Sequence, residues 1–296
     1  MMNKNGLITK GVGGLYTVLT DEGYHSCTAR GIFRNKKITP LTGDKVEILI
    51  EDEQTLTATI VRIKDRVNEL TRPAVANVDQ VIITMSVKQP DFNAGLLDRF
   101  LVLAAHAGID AVICVNKCDL LRQPSEGMIP MLVPYQTAGY PLVFTSRGDI
   151  AGINGLREVM KGKLTVFAGP SGVGKSSLIN ALLPHAEREV GEISAKLKRG
   201  KHTTRAAEIL LLGESPASGF VVDTPGFSSL EIEAVPVRAI ASYFKEFSPF
   251  MGQCRFNDCL HADYDKTEDC MVKAQIGKGI HPMRYEGYLK LINRNK

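Results

Sequence analysis

The sequence predicts a multidomain α/β chain: a small β-barrel over residues 1–70, an α/β domain over 71–232 and a short helical domain over 233–296. Three observations predict it. Short β-branched stretches broken by glycine turns fill the first seventy residues. A glycine-rich loop, Gly169-Pro-Ser-Gly-Val-Gly-Lys-Ser-Ser177, stands between an apolar run and a helix-forming run. Three of the six cysteines gather with a histidine near the C-terminus.

The totals are those of a globular protein: 296 residues, 44% hydrophobic, net charge +4. No apolar run approaches the roughly 18 residues of a membrane span. The start, MMNKNGLITKGVGG, has no signal-peptide apolar core, so a cytoplasmic protein with no membrane partner is expected. Cysteines in that compartment point to metal or thiol chemistry rather than disulfides.

In the first segment, Tyr16–Leu19, His25–Ala29, Lys45–Ile50 and Leu56–Ile63 read as strands, with turns at Gly13-Gly14, Asp21-Glu-Gly23 and Thr42-Gly-Asp44. Five or so strands in this length suit an OB-type barrel. Arg30, Arg34, Lys36 and Lys37 form a basic stretch, either a solvated hairpin or a phosphate-contacting edge.

Val78–Val87 is a near-continuous apolar strand of the kind buried on both faces of a parallel sheet. Leu97, Phe100, Leu101 and Ala104 recur at helical spacing, and Gly108 can end that helix. The strand Ala111–Val115 leads into Asn116-Lys-Cys-Asp119, a guanine-reading pattern. A carboxylate at Asp119 can accept from guanine N1–H and its N2 amino group, a donor pair adenine lacks. The Lys117 stem can lie over the base, and Asn116 can tie this loop to the glycine-rich loop. After the strand Leu142–Phe144, the backbone N–H near Thr145-Ser146 can meet guanine O6.

Lys163–Ala168 reads as the strand before the glycine-rich loop and Ser177–Leu183 as the helix after it. Gly169, Gly174, Lys175 and Ser176 fit G-x-x-x-x-G-K-[ST], a phosphate loop that includes Pro170 and whose N–H groups at Ser171, Gly172 and Val173 through Ser177 cradle a polyphosphate. Lys175 would reach the β- and γ-phosphates and the Ser176 hydroxyl would hold Mg²⁺. Residues 191–205 carry Lys196, Lys198, Arg199, Lys201 and Arg205 against one acid, and there Thr203-Thr204 would set a hydroxyl near Mg²⁺ and the γ-phosphate. Strands Ala207–Leu212 and Phe220–Val222 follow. The second ends in Asp223-Thr-Pro-Gly226, where Asp223 would hold Mg²⁺ and the Gly226 N–H would sense the γ-phosphate.

All these motifs belong to a GTP site, but the guanine-reading pattern precedes the phosphate loop, as if the chain ends had been joined and a new break made after D-x-x-G. With NKCD, GPSGVGKSS, GKHTT, DTPGF, the β domain in front and the cysteines behind, the chain resembles the circularly permuted GTPases, and within them the ribosome small-subunit-dependent GTPase A (RsgA) family. The resemblance implies a central circularly permuted P-loop GTPase domain that hydrolyses GTP to GDP. It also implies binding to the small ribosomal subunit and its rRNA in late subunit maturation, with hydrolysis driving release. A monomer is expected.

Pro236 suits a first helical turn, with Val237, Ile240, Ala241 and Phe244 as one apolar stripe. Cys254-x4-Cys259-x-His261, then eight residues (ADYDKTED) and Cys270, offer a closed tetrahedral set for one structural Zn²⁺. The family has a shorter gap before its last cysteine, so Asp263, Asp265 and His281 stand as alternatives to Cys270. Cys27, Cys114 and Cys118 read as packed thiols. In the last helix, Tyr285, Tyr288, Leu289 and Ile292 share one face, with Arg284, Lys290, Arg294 and Lys296 on the other, read both as the solvated face of a packing helix and as a basic surface for rRNA. Ras-like enzymes place a water-orienting glutamine after D-x-x-G, where this chain has Phe227. His202, directly before the switch threonines, is the residue expected to orient the water.

Overall fold

The computed structural model describes residues 3–31, 33, 38–52, 54–71, 73–121, 128–183, 207–223, 235–262 and 267–293. The chain divides into two compact units, one of residues 1–81, 153–167 and 175–229, the other of 82–152, 168–174 and 230–296. No described helix is long and apolar enough to cross a membrane.

In the first unit, β1 (Asn3–Val12), β2 (Leu15–Thr20), β3 (Gly23–Ala29), β4 (Lys45–Asp52) and β5 (Thr57–Ile63) pair in the order β1-β2-β3-β5-β4, and β4 returns to β1. The sheet therefore closes into a barrel, with β4 covering Asn3–Leu7 of β1 and leaving the later part of that strand to pair elsewhere. Among the described strands of the barrel only β3 and β5 run parallel, with Cys27 opposite Ala58. Strand alternation sends Val46, Ile48 and Ile50 inward to meet Ile8, Val18, Cys27 and Ile60. β1 was not foreseen, because its opening Asn-Lys-Asn-Gly has no apolar alternation. Below the barrel, Asp44 has no exposure and accepts two bonds from Arg66, at 2.7 and 2.8 Å. A short hairpin follows, β6 (Glu69–Thr71) and β7 (Ala74–Ala76).

The same unit contains most of β11 (Leu164–Ala168), with β12 (Glu208–Leu211) and β13 (Phe220–Asp223). β11 runs parallel to β13, with Leu164 opposite Phe220. β12 is antiparallel both to β13 and to β1, where Lys10 faces Glu208 and pairs with it at 2.8 Å. One strand thus serves the barrel and the α/β sheet.

The second unit holds most of β8 (Gln80–Ser86), every residue of which is buried, as the continuous apolar run requires. α1 (Ala94–His106), β9 (Asp110–Asn116), α2 (Met128–Thr137) and β10 (Leu142–Phe144) follow, with β10 parallel to β9. α3 (Ile150–Met160) leads out of the unit.

The C-terminal part of this unit has α5 (Val237–Ile240), α6 (Met271–Ala274) and α7 (Pro282–Asn293). The stripe Ile240, Ala241 and Phe244 is buried, but it lies on one helical turn and 3-10 turns rather than a long helix. The helix stops where Phe244 turns extended, and Pro236 is the residue capping α5. Tyr285, Tyr288 and Ile292 join that core, together with Val102 and Leu103 of α1.

Arg284 corrects the sequence reading. It is 1% exposed and is no part of a basic surface. Its guanidinium donates to Asp98 of α1 and, at 2.6 Å, to Glu246. Its face lies 4.5 Å from the Phe244 ring centroid and 4.7 Å from that of Tyr135. Tyr135 also donates its hydroxyl to Asp98 at 2.9 Å. Burial pushes the Asp98 carboxyl up to about 6, against the Arg284 charge that pulls it down. Gly287, one turn on, lets α1 come close, since a Cβ there would stand 1.9 Å from Asp98 Oδ2. Lys290 is exposed, and Arg294 and Lys296 lie outside the described residues.

Removing one partner of a buried pair strands the other, at a cost of about 3–5 kcal/mol. Arg284→Ala is therefore expected to lower unfolding stability by about that much in urea titrations. Lys290→Ala, at an exposed position on the same helix, should stay within about 0.5 kcal/mol of the parent.

Candidate functional site: nucleotide loops and a thiol–imidazole cluster

Three loops converge in the second unit. β9 ends at Asn116, which is 6% exposed and whose amide is held at both ends. Its Nδ2 donates to the Val173 carbonyl at 2.8 Å, and its Oδ1 accepts from the Thr145 hydroxyl at 2.9 Å. Thr145 has no exposure. Its backbone N–H donates to the Val115 carbonyl and its carbonyl accepts from Cys118 N–H. One amide therefore fastens the 116–119 loop to the 145–146 loop and to the glycine-rich loop. Lys117 takes a left-handed backbone (φ 61°) that turns the chain outward. Asp119 is exposed, and its Oδ1 accepts from the Arg147 N–H at 3.4 Å. Ser146 is half-buried beside it.

The glycine-rich loop is shaped by steric limits. Gly169 has φ +131°, and a Cβ there would stand 2.1 Å from the Thr84 carbonyl oxygen of β8. Gly174 has φ +101°, and a Cβ would stand 2.4 Å from Asn116 Nδ2. Neither position admits another side chain. Between them Pro170 is half-buried, Ser171 and Gly172 are exposed and Val173 is buried.

In the first unit, α4 (Lys175–Leu182) begins at the lysine of the motif, so the loop ends in a helix N-terminus as a phosphate site requires. Burial pushes the Lys175 ammonium below its ordinary value. Ser176 and Ser177 are exposed. β13 ends at an exposed Asp223. His202, Thr203, Thr204, Gly226 and Phe227 lie outside the described residues, as do Arg34, Lys36 and Lys37 of the basic stretch.

The second cluster is Cys254, Cys259, His261 and Cys270, whose ligand atoms all lie within 4.8 Å of one another. His261 Nδ1 stands 3.5 Å from Cys254 Sγ and 3.4 Å from the sulfurs of Cys259 and Cys270. Cys254 and Cys270 sulfurs are 4.0 Å apart. A tetrahedron with Zn–S of about 2.3 Å and Zn–N of about 2.0 Å has edges of about 3.8 Å (S···S) and about 3.5 Å (S···N). The donor set fits a closed four-coordinate ion. Burial pushes the Cys259 and Cys270 thiols up, so a metal entering here displaces protons. The eight-residue gap leaves Cys270 with the other three. Asp263 and Asp265 are outside the described residues, and His281 Nδ1 instead accepts from Met283 N–H at 3.2 Å. Burial pushes the remaining thiols Cys27 and Cys114 up to about 12, and raises Cys118 as well.

Two features were not foreseen. Thr145 was read for its backbone, whereas its buried hydroxyl orients Asn116; a threonine after a strand gives no such signal. The segment Gln89-Pro90, whose Gln89 carbonyl accepts from the Lys117 ammonium, carries no motif at all.

The family description "RsgA GTPase" matches residues 63–233, and "RsgA N-terminal domain" matches residues 5–57. A protein of Alkaliphilus metalliredigens named small ribosomal subunit biogenesis GTPase RsgA is 47% identical over 296 residues, covering 100% of this chain and 98% of its own length. A protein of the same name from Bacillus velezensis is 41% identical, covering 98% of this chain and 97% of its own. Among solved structures, YloQ, described as a circularly permuted GTPase, superposes with a TM-score of 0.83 at 34% identity, covering 99% of this chain and 95% of its own. YjeQ from Thermotoga maritima gives 0.83 at 35% identity, covering 99% of each chain.

Two outcomes follow from the geometry. Gly169→Ala should lose guanine-nucleotide binding in isothermal titration, because its methyl collides with the Thr84 carbonyl. Cys270→Ser should lower the metal content per chain, read by elemental mass spectrometry, and lower the melting temperature.

Proposed function

The chain belongs to the RsgA GTPase family, and on that premise we propose that it binds the small ribosomal subunit and hydrolyses GTP to GDP in late subunit maturation, hydrolysis driving its release. The observation that carries the reading is the Asn116 amide, which bonds the guanine-reading loop to the phosphate loop at Val173. Base recognition and phosphate binding are then parts of one site despite the permuted order.

In this reading Asp119 accepts the guanine N1–H and N2 hydrogens, the Lys117 stem covers the base and the backbone at Ser146 meets O6. The N–H groups from Ser171 through Ser177 cradle the phosphates, with Lys175 on the β- and γ-oxygens. Ser176, Thr204 and Asp223 would hold Mg²⁺, while Thr203 and the Gly226 N–H would sense the γ-phosphate. Mg²⁺, when bound, would neutralise phosphate charge. Because Phe227 cannot hydrogen-bond, His202 orients the attacking water, and it does so efficiently only when a partner orders its segment.

Functionally, residues 1–70 are an RNA-binding barrel, 71–232 the GTPase and 233–296 a domain held by one structural Zn²⁺ on Cys254, Cys259, His261 and Cys270. The basic residues Arg30, Arg34, Lys36 and Lys37 suit phosphate contacts on rRNA. We place the protein in the cytoplasm as a monomer that meets the subunit in its GTP state.

The test is GTP turnover with and without purified small ribosomal subunits, with large subunits and ATP as controls. Stimulation by small subunits alone, with ATP inert, is expected; equal turnover with and without them sinks the reading. His202→Ala is expected to lose about 10²–10⁴-fold of the stimulated rate while binding GTP normally. Full stimulated turnover in that variant would assign the water to another group.

A further inference from the structure

The loop between β8 and α1, residues 87–93, lies against the nucleotide loops. The Ser86 hydroxyl donates to the Pro90 carbonyl at 2.6 Å. The Lys117 ammonium donates to the Gln89 carbonyl. A methyl built on Gly172 would stand 3.8 Å from Pro90 Cδ, an ordinary contact distance. The strap thus bonds to the guanine-reading loop and passes close to the phosphate loop at Gly172. It ends at Asn93, which caps α1 by accepting from Leu96 N–H at 2.9 Å. Asp98 follows on the same helix, about 7.5 Å beyond the cap along its axis. The end of α1 that bears the strap therefore also bears the carboxylate gripped by Arg284.

The next residue on α7, Tyr285, faces the thiol–imidazole cluster. Its hydroxyl donates to the His261 carbonyl at 2.8 Å, and Tyr288 donates to the Leu260 carbonyl. Adjacent residues of one helical turn hold the histidine ligand's backbone on one side and α1 on the other. A buried ion pair cannot slide by degrees, since partial separation leaves desolvated charges. A displacement of α7 is therefore passed to α1 rather than absorbed.

We propose that Arg284 is a positioning residue for the guanine nucleotide. Through Asp98 and α1 it fixes the Gln89–Pro90 strap beside Lys117 and Gly172, and through the adjoining Tyr285 it ties that strap to the Cys254, Cys259, His261 and Cys270 centre. The inference rests on the nucleotide reading above. It makes metal occupancy and nucleotide affinity linked quantities, and such linkage is reciprocal.

The experiment uses the full chain, zinc-loaded and zinc-stripped, with methylanthraniloyl-GDP as the fluorescent probe. Stripping zinc is expected to weaken GDP binding roughly tenfold, and saturating GDP is expected to tighten zinc retention against a chelator by the same factor. Asp98→Asn and Tyr285→Phe, each retaining zinc, should bind GDP more weakly and lose the reciprocal effect. Arg284→Lys, which keeps the charge but not the fork, should recover part of the coupling. These loaded variants decide the matter even where the stripped protein unfolds. Parent-like GDP affinity and parent-like zinc retention in both Asp98→Asn and Tyr285→Phe would overturn the proposal. If the zinc-loaded parent binds no GDP, the nucleotide reading falls and takes the proposal with it. If the parent binds GDP tightly and the variants match it, only the coupling falls.

Discussion

Arg284 carries a charge that no ordinary pH removes, in a place that water barely reaches. Such a charge is tolerable only where the fold supplies anions and aromatic faces. Asp98 stands 186 positions away in the chain and Glu246 stands 38 away, so the requirement is met only once distant segments have assembled. Apolar faces admit small slips in register, but a fork held by two carboxylates does not. α1, α2 and α7 are consequently fixed by one side chain, and the glycine at position 287 is the clearance that this demands.

The Asn116 amide plays the corresponding part among the nucleotide loops. Its partner Val173 lies 57 positions later in the chain, a reversal of the order common among GTPases. A hydrogen bond has no memory of chain direction. What matters is that β9 and the segment after β11 bring their carboxyl ends together, as ligand-binding α/β sheets do. Permutation moves the chain ends and the loops between elements; it leaves the converging backbone intact.

Much of this was legible beforehand. Continuous apolar runs gave β8 and β9, because buried parallel strands need no alternation. The glycine spacing gave the shape of the glycine-rich loop, because only glycine meets its backbone angles at Gly169 and Gly174. Cysteine spacing gave the thiol–imidazole cluster, because metal geometry limits the ligands. The failures also have physical causes. α2 contains Pro134 and α3 contains Gly152 and Gly155, residues that mask helical character when tertiary packing decides. Arg284 was assigned to a solvated face because arginine is seldom buried, and its carboxylate partners cannot be located from one dimension. Thr145 escaped for the same reason, since a short hydroxyl reveals its role only beside the amide it orients.

The first strand bears on how the chain comes to be made. β1 is synthesised before its barrel partners β2 and β4, which emerge soon after it. Its other neighbour, β12, is encoded 198 positions downstream at the Lys10–Glu208 pair. At translation rates of about 5–20 residues per second, that edge of β1 waits roughly 10–40 s for its mate. The barrel can close and shield its core during this interval, while the outer rim of β1 is exposed to the crowded surroundings of the translating ribosome. Lys10, a charged residue on that part of the strand, discourages stray edge-to-edge pairing in the meantime.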